Sequence, residues 1–281
     1  MVPWVDEIVV VDMYSSDGTR DIAERHGARV LLHEPMGFVE PARAWSVAQA
    51  TGDWVLLLDA DEVIPRRLSD RLLQVVASDE ADVVDIPELN YFFGEPIMRG
   101  GWHPDAQRHP RFFRKGMLQF SAKVHAPHVV APGARVLVLS YEPELAISHF
   151  AYTTISEFLE RTERYTSLDI EPLPGSMRQQ IRHASGEVAG RLFRARGLRD
   201  GSRGFVLAVL MGIYDWMLWF KRVERHQGTT RSIGPAVASQ CVDCTIAALK
   251  VLERVRWRSP DVIRAGYVGE ARRLLADYGI S

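Results

Sequence analysis

Cysteine is almost absent from this chain. Only Cys241 and Cys244 occur in 281 residues, too few for a disulfide framework, so a reducing compartment is expected. Lysine is nearly as scarce: 30 of the 34 basic residues are arginine. Long apolar runs are also missing. A membrane-spanning helix needs about 18 to 20 apolar residues, and the nearest stretch, Gly204–Phe220, is broken by Asp215. The first residues carry Asp6 and Glu7 with only a short apolar run behind them, unlike a secretory signal peptide. There are no internal repeats and no low-complexity tracts. At 47% hydrophobic and 25% charged, the composition excludes disordered, collagen-like and small disulfide-scaffold chains. One large domain, or one domain with a helical extension, is expected at this length.

The net charge of -2 conceals an asymmetry. Residues 1–175 hold 16 Lys and Arg against 27 Asp and Glu, whereas residues 176–281 hold 18 against 9. An acidic front half suits a bound cation; a basic back half suits an anionic partner, nucleic acid or a lipid surface.

The front half alternates strand and helix patterns. EIVVVD at 7–12 reads as a buried strand, SSDGT as a turn, Arg20–His26 as a helix stopped by Gly27, and ARVLLH as a second strand. Pro41–Thr51 is helical, DWVLLLDADE is a third strand, Pro65–Ser78 another helix and ADVVDIPELNYFF a further strand. This order argues for an α/β fold with a mostly parallel sheet, whose ligands sit at the carboxyl ends of strands. RFFRKGMLQF predicts a hairpin turning at Lys115–Gly116. Helices are predicted over Thr154–Tyr165, Met177–Arg196, Gly204–Arg225, Ala236–Val255 and Val262–Tyr278.

Asp12 and the Asp59–Glu62 cluster fall at strand ends. In an extended segment Asp59 and Asp61 project to the same side. Two such carboxylates repel unless a cation lies between them, and Mg²⁺ or Mn²⁺ with phosphate oxygens and water fits that need. The alternative is a solvated loop after a strand. Asp12 suits a ribose hydroxyl or a base N–H, and Asp17 a turn or cap. Five of the nine histidines, His103, His109, His125, His128 and His149, fall between 103 and 149. CVDC at 241–244 has redox or zinc spacing but no second pair, and is read as two half-buried helix residues.

Six blocks then carry a more specific signal. They are VDEIVVVDMYSSDGTRDIAERHGARV, ATGDWVLLLDADEVI, IPELNYFFGEPIMRGGWHPDAQRHPRFFRKG, AKVHAP, SHFAYTTISEFLERTERYTSL and GFVLAVLMGIYDWMLWFK. In this order they resemble the inverting family-two glycosyltransferases of GT-A fold, in the branch similar to lipopolysaccharide-core glucosyltransferases. The resemblance covers roughly residues 4–225. It implies a nucleotide-sugar donor, usually a UDP-sugar, and one divalent cation. By resemblance Asp12 contacts the nucleoside, Asp59 lies near ribose and metal, and Asp61 holds the metal on the diphosphate. Arg111 matches the family's arginine before an aromatic pair and suits a diphosphate. His125 and His149 match family positions near the diphosphate or metal. Asp105 matches a loop carboxylate and is the expected general base.

Three departures stand out. The family has a strand and a Thr-x-Asn-Glu-like stretch upstream of the first match, whereas Met1 falls at the loop before the second strand. A truncated chain of weak or no activity is the resulting expectation. Met13 and Tyr14 replace a small Ser-Gly pair, and Ala126 replaces a glutamate after Val-His. The expected organisation is a GT-A-like catalytic domain over 1–150, a helical basic and apolar extension over 151–225, and a helical tail over 226–281.

The expected reaction moves a sugar onto a hydroxyl of a cell-envelope glycan or glycolipid. Arginines 191–203 and Lys221–Arg225 flank the apolar stretch that ends in Trp216 and Trp219, which suggests an interfacial helix on an anionic membrane, at its cytoplasmic face. A helix packed on the catalytic domain is the alternative. Nucleic acid is not expected, since stacking aromatics are not interleaved with the arginines. A non-catalytic glycosyltransferase-like scaffold and a nucleotidyltransferase are the rival functions.

Overall fold

The computed structural model describes residues 4–35, 40–120, 128–168, 176–227 and 260–276. It forms two compact units. The first takes the described residues within Met1–Leu89, Pro104–Phe150 and Val268–Ser281; the second those within Asn90–His103 and Ala151–Tyr267. The expected boundary near residue 150 is therefore crossed by two segments, 90–103 and 268–276.

In the first unit β1 (Val9–Asp12) and β2 (Arg29–Leu32) pair in parallel around α1 (Thr19–Arg25). They form a two-stranded sheet of their own. α2 (Glu40–Gln49) leads to the main sheet. Its strands in this unit include β3 (Trp54–Leu56), β4 (Glu62–Val63), β5 (Val83–Phe92), β7 (Arg108–Arg114), β10 (Val136–Val138) and β11 (Ile147–Tyr152). The order is β3-β7-β5-β11-β4, with β10 parallel on β5. The β3–β7, β5–β7 and β4–β11 pairs are antiparallel. The sheet is thus mixed where a mostly parallel one was expected.

α3 (Arg66–Ser78) packs on this sheet because Leu68, Leu72 and Val75 recur at helical spacing and are buried. They join Val84, Ile86, Phe112 and Ile147 in one core. Asp79 ends the helix in the left-handed region. The turn at Lys115–Gly116 forms, with Gly116 at φ +88°, but the hairpin does not. β8 (Leu118–Gln119) pairs with β9 (Val129–Val130) instead of folding back on β7.

In the second unit, β6 (Glu95–Pro96) pairs with the end of β5. α4 (Ile155–Leu168), α5 (Met177–Ala189), a π turn at Gly190–Arg194 and α6 (Gly201–Gln227) follow. α7 (Pro260–Ala276) begins here and runs past the unit boundary. Gly204 has no alternative: a Cβ there would sit 1.9 Å from the Gly197 carbonyl oxygen. Gly197–Arg225 is long and apolar enough to cross a membrane. Its Val206, Leu207, Ala208, Leu210 and Trp219 are nevertheless buried within the protein. Lys221 at its basic end bonds Glu163 at 2.7 Å, and Arg225 bonds the Ser167 carbonyl. The helix predicted over Ala236–Val255 and the CVDC pair lie outside the described residues.

Candidate functional site

The sheet assembles a cluster of charge at one place. β3 pairs with β7, and Leu57 N–H continues that ladder to the Arg111 carbonyl at 2.8 Å. Asp59 follows two residues on. The chain then turns, Glu62 N–H donating to the Asp59 carbonyl at 3.1 Å. β4 pairs with β11 so that Glu62 faces His149, and Phe150 N–H donates to the Asp61 carbonyl at 2.9 Å. β5 lies between β7 and β11 and supplies Glu88. Three adjacent strands therefore contribute Arg111, Glu88 and His149.

Arg111 arrives by a β-bulge. Val84 pairs with Phe112 and Asp85 with Pro110, leaving Arg111 as the extra residue on β7. Bulges re-aim side chains in this way. Its guanidinium, 8% exposed, lies 2.5 Å from Glu62, 3.2 Å from Glu88 and 3.7 Å from Asp59. Arg111, expected to suit a diphosphate, has these three carboxylates as neighbours. Burial works against its charge, but these carboxylates outweigh that and raise its pKa.

Asp59 and Asp61 fall where the chain turns, not in the extended strand expected. Asp59 accepts from Arg43 Nη2 at 2.5 Å. Asp61 meets His149 Nε2 at 3.6 Å, while His149 Nδ1 lies 3.2 Å from Glu88. Burial lowers the His149 pKa, yet the Asp61 and Glu88 carboxylates prevail and push it up to about 10. His149, expected near the diphosphate or metal, thus lies between the Asp61 and Glu88 carboxylates. Burial raises Glu88, but the His149 hydrogen bond and charge, with Arg111, bring it down to about 2. Glu62 moves the other way: burial, with Asp59 and Glu88 adding to it, outweighs Arg111 and pushes it up to about 7.

Among the described residues no three His, Cys, Asp or Glu side chains converge as a ready metal cage. A Mg²⁺ or Mn²⁺ needs none, since it binds one or two carboxylates and completes its shell with phosphate and water. Asp61, with its side chain 32% exposed, fits that donor set; Asp59 is engaged by Arg43.

The remaining expected residues have other partners. Asp12, at the end of β1, is buried, and both its oxygens accept from Ser15 N–H at 3.2 Å. Arg20 stands 3.5 Å away. Asp17 accepts from the Thr19 N–H and hydroxyl two residues on, as an Asx turn does. Asp105 sits in a 3₁₀ turn before β7, where Arg108 and the Tyr141 N–H both donate to it. His125 lies outside the described residues.

Arg43 and Glu88 are additions that sequence reasoning missed. Glu88 had a signal: it is an acid in a strand of mostly apolar residues, where an unpaired charge is costly. Arg43 had none, because helical spacing alone does not show that the one arginine of α2 reaches Asp59.

The family model for glycosyl transferase family 2 matches residues 5–135, which spans every described residue of the cluster except His149. Residues 5–135 belong to glycosyl transferase family 2. The chain is also similar to the lipopolysaccharide core biosynthesis glycosyltransferase LpsC of Rhizobium meliloti, 25% identical over 78% of this chain and 83% of that protein. An uncharacterized glycosyltransferase of Rickettsia felis is 37% identical over 28% of this chain and 27% of its own length. This match spans about a quarter of the length of that relative and of those from Rickettsia conorii and Rickettsia typhi. Among solved structures, S. aureus TarS in complex with UDP aligns at 16% identity and a TM-score of 0.37, covering 82% of this chain and 85% of that one. The family-2 domain is a GT-A-like α/β unit with a mixed sheet, and the described chain beyond it is largely helical.

Proposed function

We propose that this family-2 domain transfers a sugar, with inversion, from a UDP-sugar to a hydroxyl of a cell-envelope glycan or glycolipid. The carrying observation is the Asp59–Glu62 turn: it follows β3 inside the matched domain and leaves Asp61 partly exposed beside a buried lattice of charge. Asp61 holds Mg²⁺ or Mn²⁺, whose chemistry is to neutralise the charge that develops on the departing nucleoside diphosphate. Asp59 assists from its anchor on Arg43. Asp12 serves the nucleoside from the end of β1. Asp105 takes the acceptor proton; its side chain is 39% exposed and is oriented by Arg108 and Tyr141.

The likeness to a protein named for lipopolysaccharide core biosynthesis supports an envelope acceptor. Exposed Phe193 and Leu198, set among exposed Arg194, Arg196 and Arg199, support docking on the anionic cytoplasmic face of a membrane.

Calorimetry with UDP and Mn²⁺ tests the donor reading. Replacing a carboxylate ligand removes a hard oxygen donor, so Asp61→Asn is expected to abolish the Mn²⁺-dependent part of UDP affinity. Unchanged Mn²⁺-dependent affinity rejects the assignment. Release of pyrophosphate instead of UDP would show a nucleotidyltransferase, and no turnover of any nucleotide-sugar would favour a non-catalytic scaffold.

A further inference from the structure

We propose that Glu88 is a positioning residue whose one carboxylate holds both aspartates of the Asp59–Asp61 pair, through Arg111 on one side and His149 on the other. The inference rests on the donor reading above and assigns a role to a residue that acts on the aspartates through its neighbours.

The geometry has two arms of similar reach. Glu88 Oε2 lies 3.2 Å from Arg111 Nη2, and Arg111 Nη1 lies 3.7 Å from Asp59 Oδ2. Glu88 Oε1 lies 3.2 Å from His149 Nδ1, and His149 Nε2 lies 3.6 Å from Asp61 Oδ2. Separate oxygens serve separate arms, so neither arm competes with the other. The Glu88 side chain is 8% exposed, which leaves water little room to substitute for either contact. The hub is also built into the sheet. Glu88 is on the strand between β7 and β11, and the bulge at Arg111 turns that side chain to meet it.

The two arms differ in what they must hold. Asp59 is also held by Arg43 at 2.5 Å, so its position survives the loss of one arm. Asp61 is reached through His149, at the far side of a turn whose ends are tied by backbone bonds. Outer residues that orient a metal-bound carboxylate matter to affinity nearly as much as the ligand itself.

Glu88→Gln isolates the carboxylate. An amide keeps the volume but presents one acceptor oxygen and one NH₂ donor. It can no longer present a charged oxygen to both Arg111 and His149, so the hold on the two aspartates is weakened. UDP binding with and without Mn²⁺ is to be measured by calorimetry on wild type, E88Q, D61N and the double variant, with thermal unfolding of each. E88Q is expected to lower Mn²⁺-dependent UDP affinity by about 10- to 100-fold, and to leave UDP affinity without Mn²⁺ and the thermal midpoint of the D61N background unchanged. A structural residue would lower UDP affinity with and without Mn²⁺ alike, and that result overturns the proposal, as does unchanged affinity in E88Q. If E88Q fails to fold, Glu88→Asp replaces it. It keeps both acceptor oxygens but withdraws them by one methylene, so a smaller loss of the same Mn²⁺-dependent affinity is expected, and no loss overturns the proposal. Wild-type protein that shows no Mn²⁺-dependent UDP binding overturns the donor reading and this role together; wild-type binding that E88Q leaves intact overturns this role alone.

Discussion

The first unit carries two lattices of arginine and carboxylate built from the same chemistry. One is the cluster of Asp59, Glu62 and Glu88 around Arg111, in which Arg111, Glu62 and Glu88 are each at most 8% exposed. The other joins Asp79 and Asp82 to Arg114 and Arg135 at the start of β5, with ion pairs of 2.6 to 3.4 Å, and Arg135 is 49% exposed. Distances do not distinguish them; solvent does. At the surface, water screens each pair and replaces any partner that leaves, so the lattice adds little. Inside, each charge depends on its partners, and removing one leaves the others without compensation. The buried lattice is therefore the one able to fix positions, and it is the one that borders Asp59 and Asp61.

The sharpest way to break this comparison is Arg111→Ala. It leaves Glu62 and Glu88 buried without their guanidinium, and the expected loss is about 3–5 kcal/mol of stability. Urea unfolding measures it. A loss below about 1 kcal/mol would place the cluster with the surface pairs and remove its claim to positioning.

The Asp105–Arg108 pair is intermediate, with side chains 39% and 26% exposed. Asp105→Asn keeps an acceptor for the Tyr141 N–H and loses only the charge. Stability is expected to fall by at most about 1 kcal/mol, since solvent already screens the pair. Turnover is expected to fall by about a hundredfold if Asp105 is the base. The two readouts separate here, whereas Arg111→Ala moves stability first. UDP release from a UDP-sugar, together with thermal unfolding, checks both; near-normal turnover would return the base to another residue.

The same contrast explains what the sequence discloses. Helices declare themselves locally: Leu68, Leu72 and Val75 recur at the spacing a helix buries, and Asp59-Ala60-Asp61 sits at a strand end whatever its neighbours do. Strand partners do not declare themselves. Nothing in RFFRKGMLQF shows that β7 pairs with β3 and β5 while β8 pairs with β9, because partner choice depends on distant segments. The parallel sheet was inferred from strand–helix alternation, which describes β1, α1 and β2 well but fails beyond them. Arg111 stood out as a residue, but its partners did not, because its inward aim comes from a one-residue bulge against β5. Asp12 has the burial and strand-end placement expected, yet it closes its own turn at Ser15. Glu88 could have been weighed as a charge in an apolar run, but naming its partners needed the order β7-β5-β11.

The smallest effect is expected at the exposed lattice, and acid sharpens it. Hydrogen bonds from Arg135, then Arg114, hold Asp79 below its usual 3.8; the Arg135 side chain and N–H hold Asp82 further below. A carboxylate depressed in the folded state binds fewer protons there than when unfolded, so its contribution is complete above about pH 4 and is lost as pH falls through the folded value. Arg135→Ala removes the guanidinium and leaves Arg114 beside both aspartates. The expected result at neutral pH is a small loss of thermal midpoint that shrinks further as salt is added. As acid protonates the aspartates in the wild type, the difference between the two proteins is expected to close. Melting both from about pH 6 to about pH 2, at low and high salt, follows this directly. A loss comparable with that of Arg111→Ala, or one indifferent to pH and salt, would mean that exposure is not what separates the two lattices.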